Sequence, residues 1–262
     1  MPSLTLQDLP QVEEFTADPS NVSAVVQSLA RAGGVIIRNV VPQAQLSLIE
    51  ADVRPHLEAD APWSGSFFPP ETRRAMGLAG KSPTFMRSIP AHPLYQAVCT
   101  CILQSTYKSY TGQTLETSIS PPQLNNTIVF SIGPGARAQD LHRDDMIHHN
   151  KLPPITADQW TSDRETGIGF FIAGKKTTRA NGATRFIPGS HLWDTYQPPN
   201  EDLTFYAELN PGDAFMMLSS CYHGGSANTT TDEERLIFSC FMTRGYLRQV
   251  RIHPLLLSLS SS

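Results

Sequence analysis

Leu141-His142-Arg143-Asp144-Asp145 sets an imidazole and a carboxylate two residues apart. On extended backbone, residues i and i+2 project to the same face. His142 and Asp144 can then grip one metal ion, and the same alternation turns Asp145 away from His142. An imidazole nitrogen beside a hard carboxylate oxygen is the donor mix that suits non-haem iron(II). Such a site needs a second imidazole from a distant part of the fold. The best candidate is His223, in Ser219-Ser220-Cys221-Tyr222-His223-Gly224-Gly225. Two imidazoles and one carboxylate on one face of an octahedron leave three positions open for substrates and dioxygen. The tripeptide His-x-Asp is a weak signal alone, because it occurs by chance in many solvated loops.

The flanking sequence supplies the architecture. Runs rich in β-branched and aromatic residues at 124–132, 166–172, 183–187, 213–218 and 235–242 are separated by Gly, Pro and Asn clusters, among them the Gly133-Pro134-Gly135 turn. Short strands in that pattern imply a sandwich or jelly roll. Upstream, 21–31 has helical character, with Ser20 or Asn21 as N-cap and Gly33-Gly34 as the stop. Residues 35–40 form a strand-like run, and Pro42 opens a second helix that reaches about Leu57. The periodicity of His92 to Tyr110 predicts a third helix, ended by Gly112. Between them, 60–90 is rich in Pro, Gly and Ser, with Trp63, Phe67, Phe68, Phe85 and Met86 interleaved. It reads as a long irregular connection over the core, equally able to line a cavity or simply to pack. The fold class expected is mainly β with N-terminal helices. One domain covers 1–262, with a helical N-terminal part at about 1–112 and a jelly-roll core at about 113–250.

Composition excludes several functions. The 262 residues carry a net charge of −4, so there is no electrostatic footprint for nucleic acid. No basic block or apolar run of spanning length points to a membrane. The first residues lack the charged and apolar regions of a signal peptide, and Leu259-Ser260-Ser261-Ser262 matches no retention or peroxisomal tripeptide. Cys99, Cys101, Cys221 and Cys240 form no zinc-type pairs. They read as reduced, mostly buried thiols of a cytoplasmic protein. Cys221, two residues before His223, fits a small buried hydrophobe better than a thiolate ligand.

Four segments in order resemble the phytanoyl-CoA dioxygenase family of iron(II)- and 2-oxoglutarate-dependent oxygenases. They are Gln139-Asp140-Leu141-His142-Arg143-Asp144-Asp145; the turn from Arg179 through Asn181-Gly182-Ala183-Thr184-Arg185 to Pro188-Gly189-Ser190-His191; Pro211-Gly212-Asp213; and Tyr222-His223-Gly224-Gly225-Ser226-Ala227-Asn228 with Arg235 beyond. The resemblance implies a double-stranded β-helix, cupin-like, whose mouth holds Fe(2+) on His142, Asp144 and His223. It implies 2-oxoglutarate and O2 as co-substrates, with Arg235 pairing with the distal carboxylate of 2-oxoglutarate. Arg suits that role because it binds carboxylates bidentately and stays charged when buried; a surface Arg after Asp232-Glu233-Glu234 is the plainer alternative. Gln139 and Thr184 are the family-like positions for further hydrogen bonds, although Thr184 reads equally well as a β-propensity choice. Asn181-Gly182 and Pro188-Gly189 read as turns and His191 as structural. His148 and His149 would lie beyond the mouth. His56, His92 and His253 read as surface or packing residues.

Within the family, the run from Leu141 to His149 looks most like small fungal enzymes that tailor natural products, notably meroterpenoids and related alkaloids. The implied substrate is a bulky apolar small molecule oxidised at an unactivated C–H bond. Asp144 argues against a halogenase, which has Ala or Gly in that place. The resemblance further implies a homodimer, with 60–90 and 253–257 as contacts. Two other readings remain: a cupin-like isomerase or hydrolase that does not use 2-oxoglutarate, and a non-catalytic jelly-roll binding module. Arg235 discriminates against the first, which has no need of it; the second would bind no iron and would keep its ligand affinity in His223→Ala.

Overall fold

A computed structural model describes residues 5–63, 65 and 68–249. β1 (Glu14–Thr16) is followed by α1 (Val22–Ala32), β2 (Gly34–Arg38), α2 (Gln43–Glu58), β3 (Thr72–Met76), α3 (Pro83–Ser88) and α4 (Pro93–Leu103). After these come β4 (Ser105–Thr111), β5 (Thr114–Ser120), β6 (Gln123–Ile132), β7 (Gly167–Ala173), β8 (Thr184–Phe186), β9 (Phe205–Ala207), β10 (Ala214–Leu218), β11 (His223–Gly225) and β12 (Arg235–Thr243). The major sheet runs β1-β2-β10-β7-β12-β6-β3, and a smaller sheet runs β11-β8-β9. This is the expected jelly roll, mainly β with helices near the N-terminus.

α1 forms because Val25, Leu29 and Ala32 recur on one stripe, which is buried. Gly33 ends it at φ 77°, donating its N–H to the Leu29 carbonyl. Asn21 stands at the N-cap but does not cap with its side chain; its amide donates to the Thr16 carbonyl at 3.1 Å. Every residue of β7 and β10 is buried. The alternation of a half-exposed strand is therefore absent there, as expected for strands covered on both faces. α4 crosses β7, where Tyr95 stacks on Phe170 with centroids 4.5 Å apart. The Tyr95 hydroxyl donates to the Ile168 carbonyl at 2.9 Å and accepts the Met242 N–H at 3.1 Å. β12 shifts register against β6 between Phe241 and Met242. Tyr95 thus satisfies a backbone donor at a bulge.

Three expectations need correction. The third helix stops at Leu103, not Tyr110: Gln104 is extended, and 105–111 pairs with 114–120 as a hairpin. Thr106, Tyr107, Tyr110 and Thr111 prefer a pleated strand to a helix, and tertiary context settles what periodicity left ambiguous. The 60–90 stretch is not irregular throughout. It holds the edge strand β3, paired to β6, and α3, capped by Ser82, whose hydroxyl accepts the Phe85 N–H at 3.1 Å. Phe67 lies outside the described residues. Finally, the N-terminal part holds more strand than the one expected at 35–40, because β1 and β3 join β2 in the major sheet. The 253–257 run also lies outside the described residues. Among the described residues no helix is long and apolar enough to cross a membrane.

Candidate metal centre

The backbones of His142 and His223 form an antiparallel bridge, exchanging N–H···O bonds of 3.0 and 2.9 Å. Residues 81 positions apart in the chain thereby share one edge of the smaller sheet, with ring centroids 4.5 Å apart. Arg143 is extended (φ −112°, ψ 131°), so Asp144 returns to the face of His142 as the alternation predicts. The strand ends there: Asp144–His148 is a 3-10 helix. Asp144 Oδ1 lies 3.6 Å from His142 Nε2, and Oδ2 lies 3.6 Å from His223 Nε2. One ligand atom from each of the three residues falls within 4.8 Å of the other two, close enough to hold a metal ion.

Each side chain is oriented for that task. His142 Nδ1 lies 2.9 Å from the Asp140 carbonyl, and His223 Nδ1 lies 3.2 Å from the Cys221 carbonyl. A ring nitrogen that donates to a carbonyl must carry the proton, which leaves Nε2 as the lone-pair donor. Burial also lowers the His223 pKa to about 4, so the imidazole is neutral at pH 7. Asp144 Oδ2 is buried and has no hydrogen-bond partner among the described residues. A carboxylate oxygen so placed is costly unless a cation meets it. The residues present therefore fit a metal ion.

A cavity of about 180 Å³ opens on this cluster and is also lined by Gln139, Thr184 and Arg235. Arg235 begins β12 and is buried. Its guanidinium donates to Thr184 Oγ1 at 2.7 Å, while its Nε has no hydrogen-bond partner among the described residues. Desolvation pulls its pKa down to about 10, which leaves it cationic at neutral pH. No ion pair to Arg235 occurs among the described residues, whereas its neighbour Glu234 meets Arg54 and Lys175. Gln139 Oε1 accepts the Gly225 N–H at 3.0 Å, leaving its amide NH2 as the group to offer a ligand. Phe68, Met76, Phe130, Phe171 and Phe241 supply apolar wall. Of the 60–90 stretch, Phe68, Pro69, Thr72 and Met76 therefore reach this cavity. A second chamber of about 240 Å³ lies on the other side of His142 and Asp144, lined by Asn125, Asn126, Met146, Ile147 and His148.

The remaining sequence candidates stand apart. Asp145 points into the protein and accepts from the Asn150 amide at 2.9 Å; desolvation raises its pKa to about 6. His148 lines the second chamber and lies 3.4 Å from the Thr243 hydroxyl. Neither His148 nor His149 joins the metal-binding group. His191 is buried, 3.0 Å from the Ala30 carbonyl, and burial lowers its pKa to about 4. Cys221 is a buried thiol against the Gly33 carbonyl and is not among the metal-binding group. Asn181 ties its turn together, donating to the Lys176 carbonyl and to Glu233, each at 2.9 Å. Sequence reading missed Asn126 and Phe241 in the cavity wall; both sit on strands it identified, and only the register assigns their face. It also missed Glu165, a fully buried carboxyl that accepts from Trp160 Nε1 at 2.9 Å and Ser220 Oγ at 2.6 Å.

Known proteins resemble this chain in sequence and in fold. The family described as phytanoyl-CoA dioxygenase matches residues 29–236. The dioxygenase peniF of Penicillium patulum is 42% identical over 234 residues, covering 89% of this chain and 75% of that protein. The dioxygenase himG of Aspergillus japonicus is 39% identical over 245 residues, covering 92% and 76%. Among solved structures, the non-haem alpha-ketoglutarate-dependent epimerase SnoN from nogalamycin biosynthesis superposes with a TM-score of 0.63 at 20% identity, over 87% of this chain and 82% of that one. HygX from Streptomyces hygroscopicus, solved with nickel and 2-oxoglutarate, gives 0.61 at 15% identity, over 87% and 89%. At such identities these two establish a shared fold.

Proposed function

The chain belongs to the phytanoyl-CoA dioxygenase family, and from that premise we propose that it is an iron(II)- and 2-oxoglutarate-dependent dioxygenase acting on a bulky, apolar secondary metabolite of the meroterpenoid type. His142, Asp144 and His223 hold the iron, through Nε2, a carboxylate oxygen and Nε2. When bound, iron with 2-oxoglutarate and dioxygen supplies the oxidising power for an unactivated C–H bond, the hard chemistry that side chains cannot perform. The protein positions the reactants and excludes water.

The single observation that carries this reading is Arg235. A buried guanidinium without a carboxylate partner is expensive, and this one lines the same cavity as the metal-binding cluster. A dicarboxylate reaching from the metal would offer it a bidentate partner. Thr184, hydrogen-bonded to the guanidinium, fixes its direction, and the Gln139 amide is placed to donate to the same ligand. The alternative of a cupin-like isomerase or hydrolase leaves Arg235 unexplained, and so does a binding module. The apolar walls of the cavity favour a hydrophobic substrate. The free thiols Cys99, Cys101, Cys221 and Cys240 suit the cytoplasm, and we assign the enzyme there as a homodimer.

The test is succinate release from 2-oxoglutarate with iron(II) in air, with and without candidate apolar metabolites. Slow release without metabolite and faster release with one is the expected result. No succinate under any condition, from folded and iron-loaded protein, contradicts the reading.

A further inference from the structure

β4 and β5 form a two-stranded sheet that pairs with no third strand among the described residues. An isolated hairpin of this kind is marginal in water, yet this one carries large apolar groups in the open. Tyr107 is 68% exposed, Tyr110 71%, Leu115 53% and Ile119 59%. In the register of the hairpin, Tyr110 faces Leu115 and Thr106 faces Ile119. Because side chains alternate, Thr106, Lys108 and Tyr110 of β4 share one face with Leu115, Thr117 and Ile119 of β5. We propose that the outer edge of β5 pairs antiparallel with β5 of a second copy of this chain, about a two-fold axis at Thr117.

The argument rests on which backbone groups point outward. Thr111 pairs with Thr114 across the two-residue turn Gly112-Gln113. Gly112 has φ 63° at the first central position and Gln113 is not among the residues of positive φ, which is a type II′ turn. Pairs in such a hairpin alternate between mutually hydrogen-bonded and outward-facing. Counting from Thr111 and Thr114, the outward N–H and C=O groups on β5 belong to Leu115, Thr117 and Ile119. Those on β4 belong to Thr106, Lys108 and Tyr110. The β5 edge is self-complementary. Pairing about Thr117 sets Leu115 of each copy opposite Ile119 of the other, and Glu116 opposite Ser118, with no like charges opposed. Pairing about the centre of β4 would set Lys108 against Lys108, which is destabilising and is how natural sheets block an edge. The product is a four-stranded sheet that gathers Tyr110, Leu115 and Ile119 of both copies on one face, above the size at which strands become self-supporting. β5 runs through Pro121-Pro122 into β6, which lines the cavity, so the edge sits close in sequence to the site. This inference names the surface of the homodimer proposed above and does not depend on iron or 2-oxoglutarate.

The test uses the full chain. Sedimentation velocity at micromolar concentration should give twice the 28.8 kDa mass of the chain. Thr117→Pro removes an outward N–H that the hairpin itself does not use, and should give monomer with an unchanged circular dichroism spectrum. Lys108→Glu should remain dimeric. Oxidised Thr117→Cys should run as a covalent dimer on a non-reducing gel, whereas Lys108→Cys and the wild type, with its exposed Cys101, should not. The cross-link decides the matter even if Thr117→Pro fails to fold. A monomeric wild type overturns the proposal, the face then being covered by another partner or another part of the chain. A dimer that survives Thr117→Pro and is not trapped by Thr117→Cys also overturns it while leaving the homodimer intact. No succinate from a wild-type dimer would instead count against the enzymatic reading alone.

Discussion

Asp144 is the residue on which the centre turns, because it lies 3.6 Å from the Nε2 atoms of both imidazoles, with a buried oxygen that accepts no hydrogen bond among the described residues. Asp144→Ala should lower iron(II) affinity by roughly 100-fold or more, since even partners outside the ligand set are worth 10–100-fold; competition against a fluorescent chelator measures it. Arg235→Gln should leave iron affinity unchanged and raise the KM for 2-oxoglutarate by about 30-fold or more, the cost of leaving one member of a buried charge pair unmet. Glu165 makes a prediction about pH. Desolvation pushes its carboxyl up to about 7, above the ordinary 4.5. Between those values the unfolded chain releases its proton first, so stability falls as pH rises from about 4.5 to 7, by on the order of 3 kcal/mol. Glu165→Gln keeps partners for Trp160 and Ser220 and should flatten that slope in urea unfolding followed across the range. His142 and Asp144 were legible as a pair because alternation and ligand chemistry are local rules, whereas His223 was picked from its own motif and only the fold brings it to them. Glu165 was not, because nothing adjacent to it announces that the chain will bury it.

Two elements set the cavity wall, and each has a measurable support. The β12 bulge places Phe241 in the cavity wall, and Tyr95 accepts the Met242 N–H beside it. Tyr95→Phe should destabilise by about 1–3 kcal/mol, the penalty of an unsatisfied buried donor, read from chemical denaturation. Gly33 ends α1 at φ 77°, and a Cβ there would lie 2.3 Å from Cys221 Sγ and 2.7 Å from His191 Nδ1. Gly33→Ala therefore combines backbone strain with overpacking beneath the segment that delivers His223. It should lower the melting temperature by several degrees or more, for a cost of roughly 2 kcal/mol or above. The strands at 124–132, 166–172 and 235–242 could be read in advance because they are long and rich in β-branched residues. The hairpin at 105–120 could not: α4 and β4 are joined by the single residue Gln104, and apolar spacing continues across it as though the helix went on.

At the scale of the molecule, the jelly roll was legible from the count and spacing of short strands, and the family from motifs that follow one another in order. Pairing was not. β1, β2 and β3 come from the largely helical N-terminal part, yet β2 zips against β10, 179 residues away at the Ile36–Phe215 pair; no periodicity encodes such a partner. His142 and His223 meet for the same reason, through a backbone bridge that only the closed fold creates. The central claim is that this closure builds a ferrous centre with room for 2-oxoglutarate beside Arg235. Anaerobic titration with iron(II) and then 2-oxoglutarate, followed by visible absorption, tests it most directly. A weak charge-transfer band should appear in the wild type, vanish in His223→Ala and require far more 2-oxoglutarate in Arg235→Gln. Absence of any band from iron-loaded wild-type protein, or one indifferent to Arg235, would contradict it.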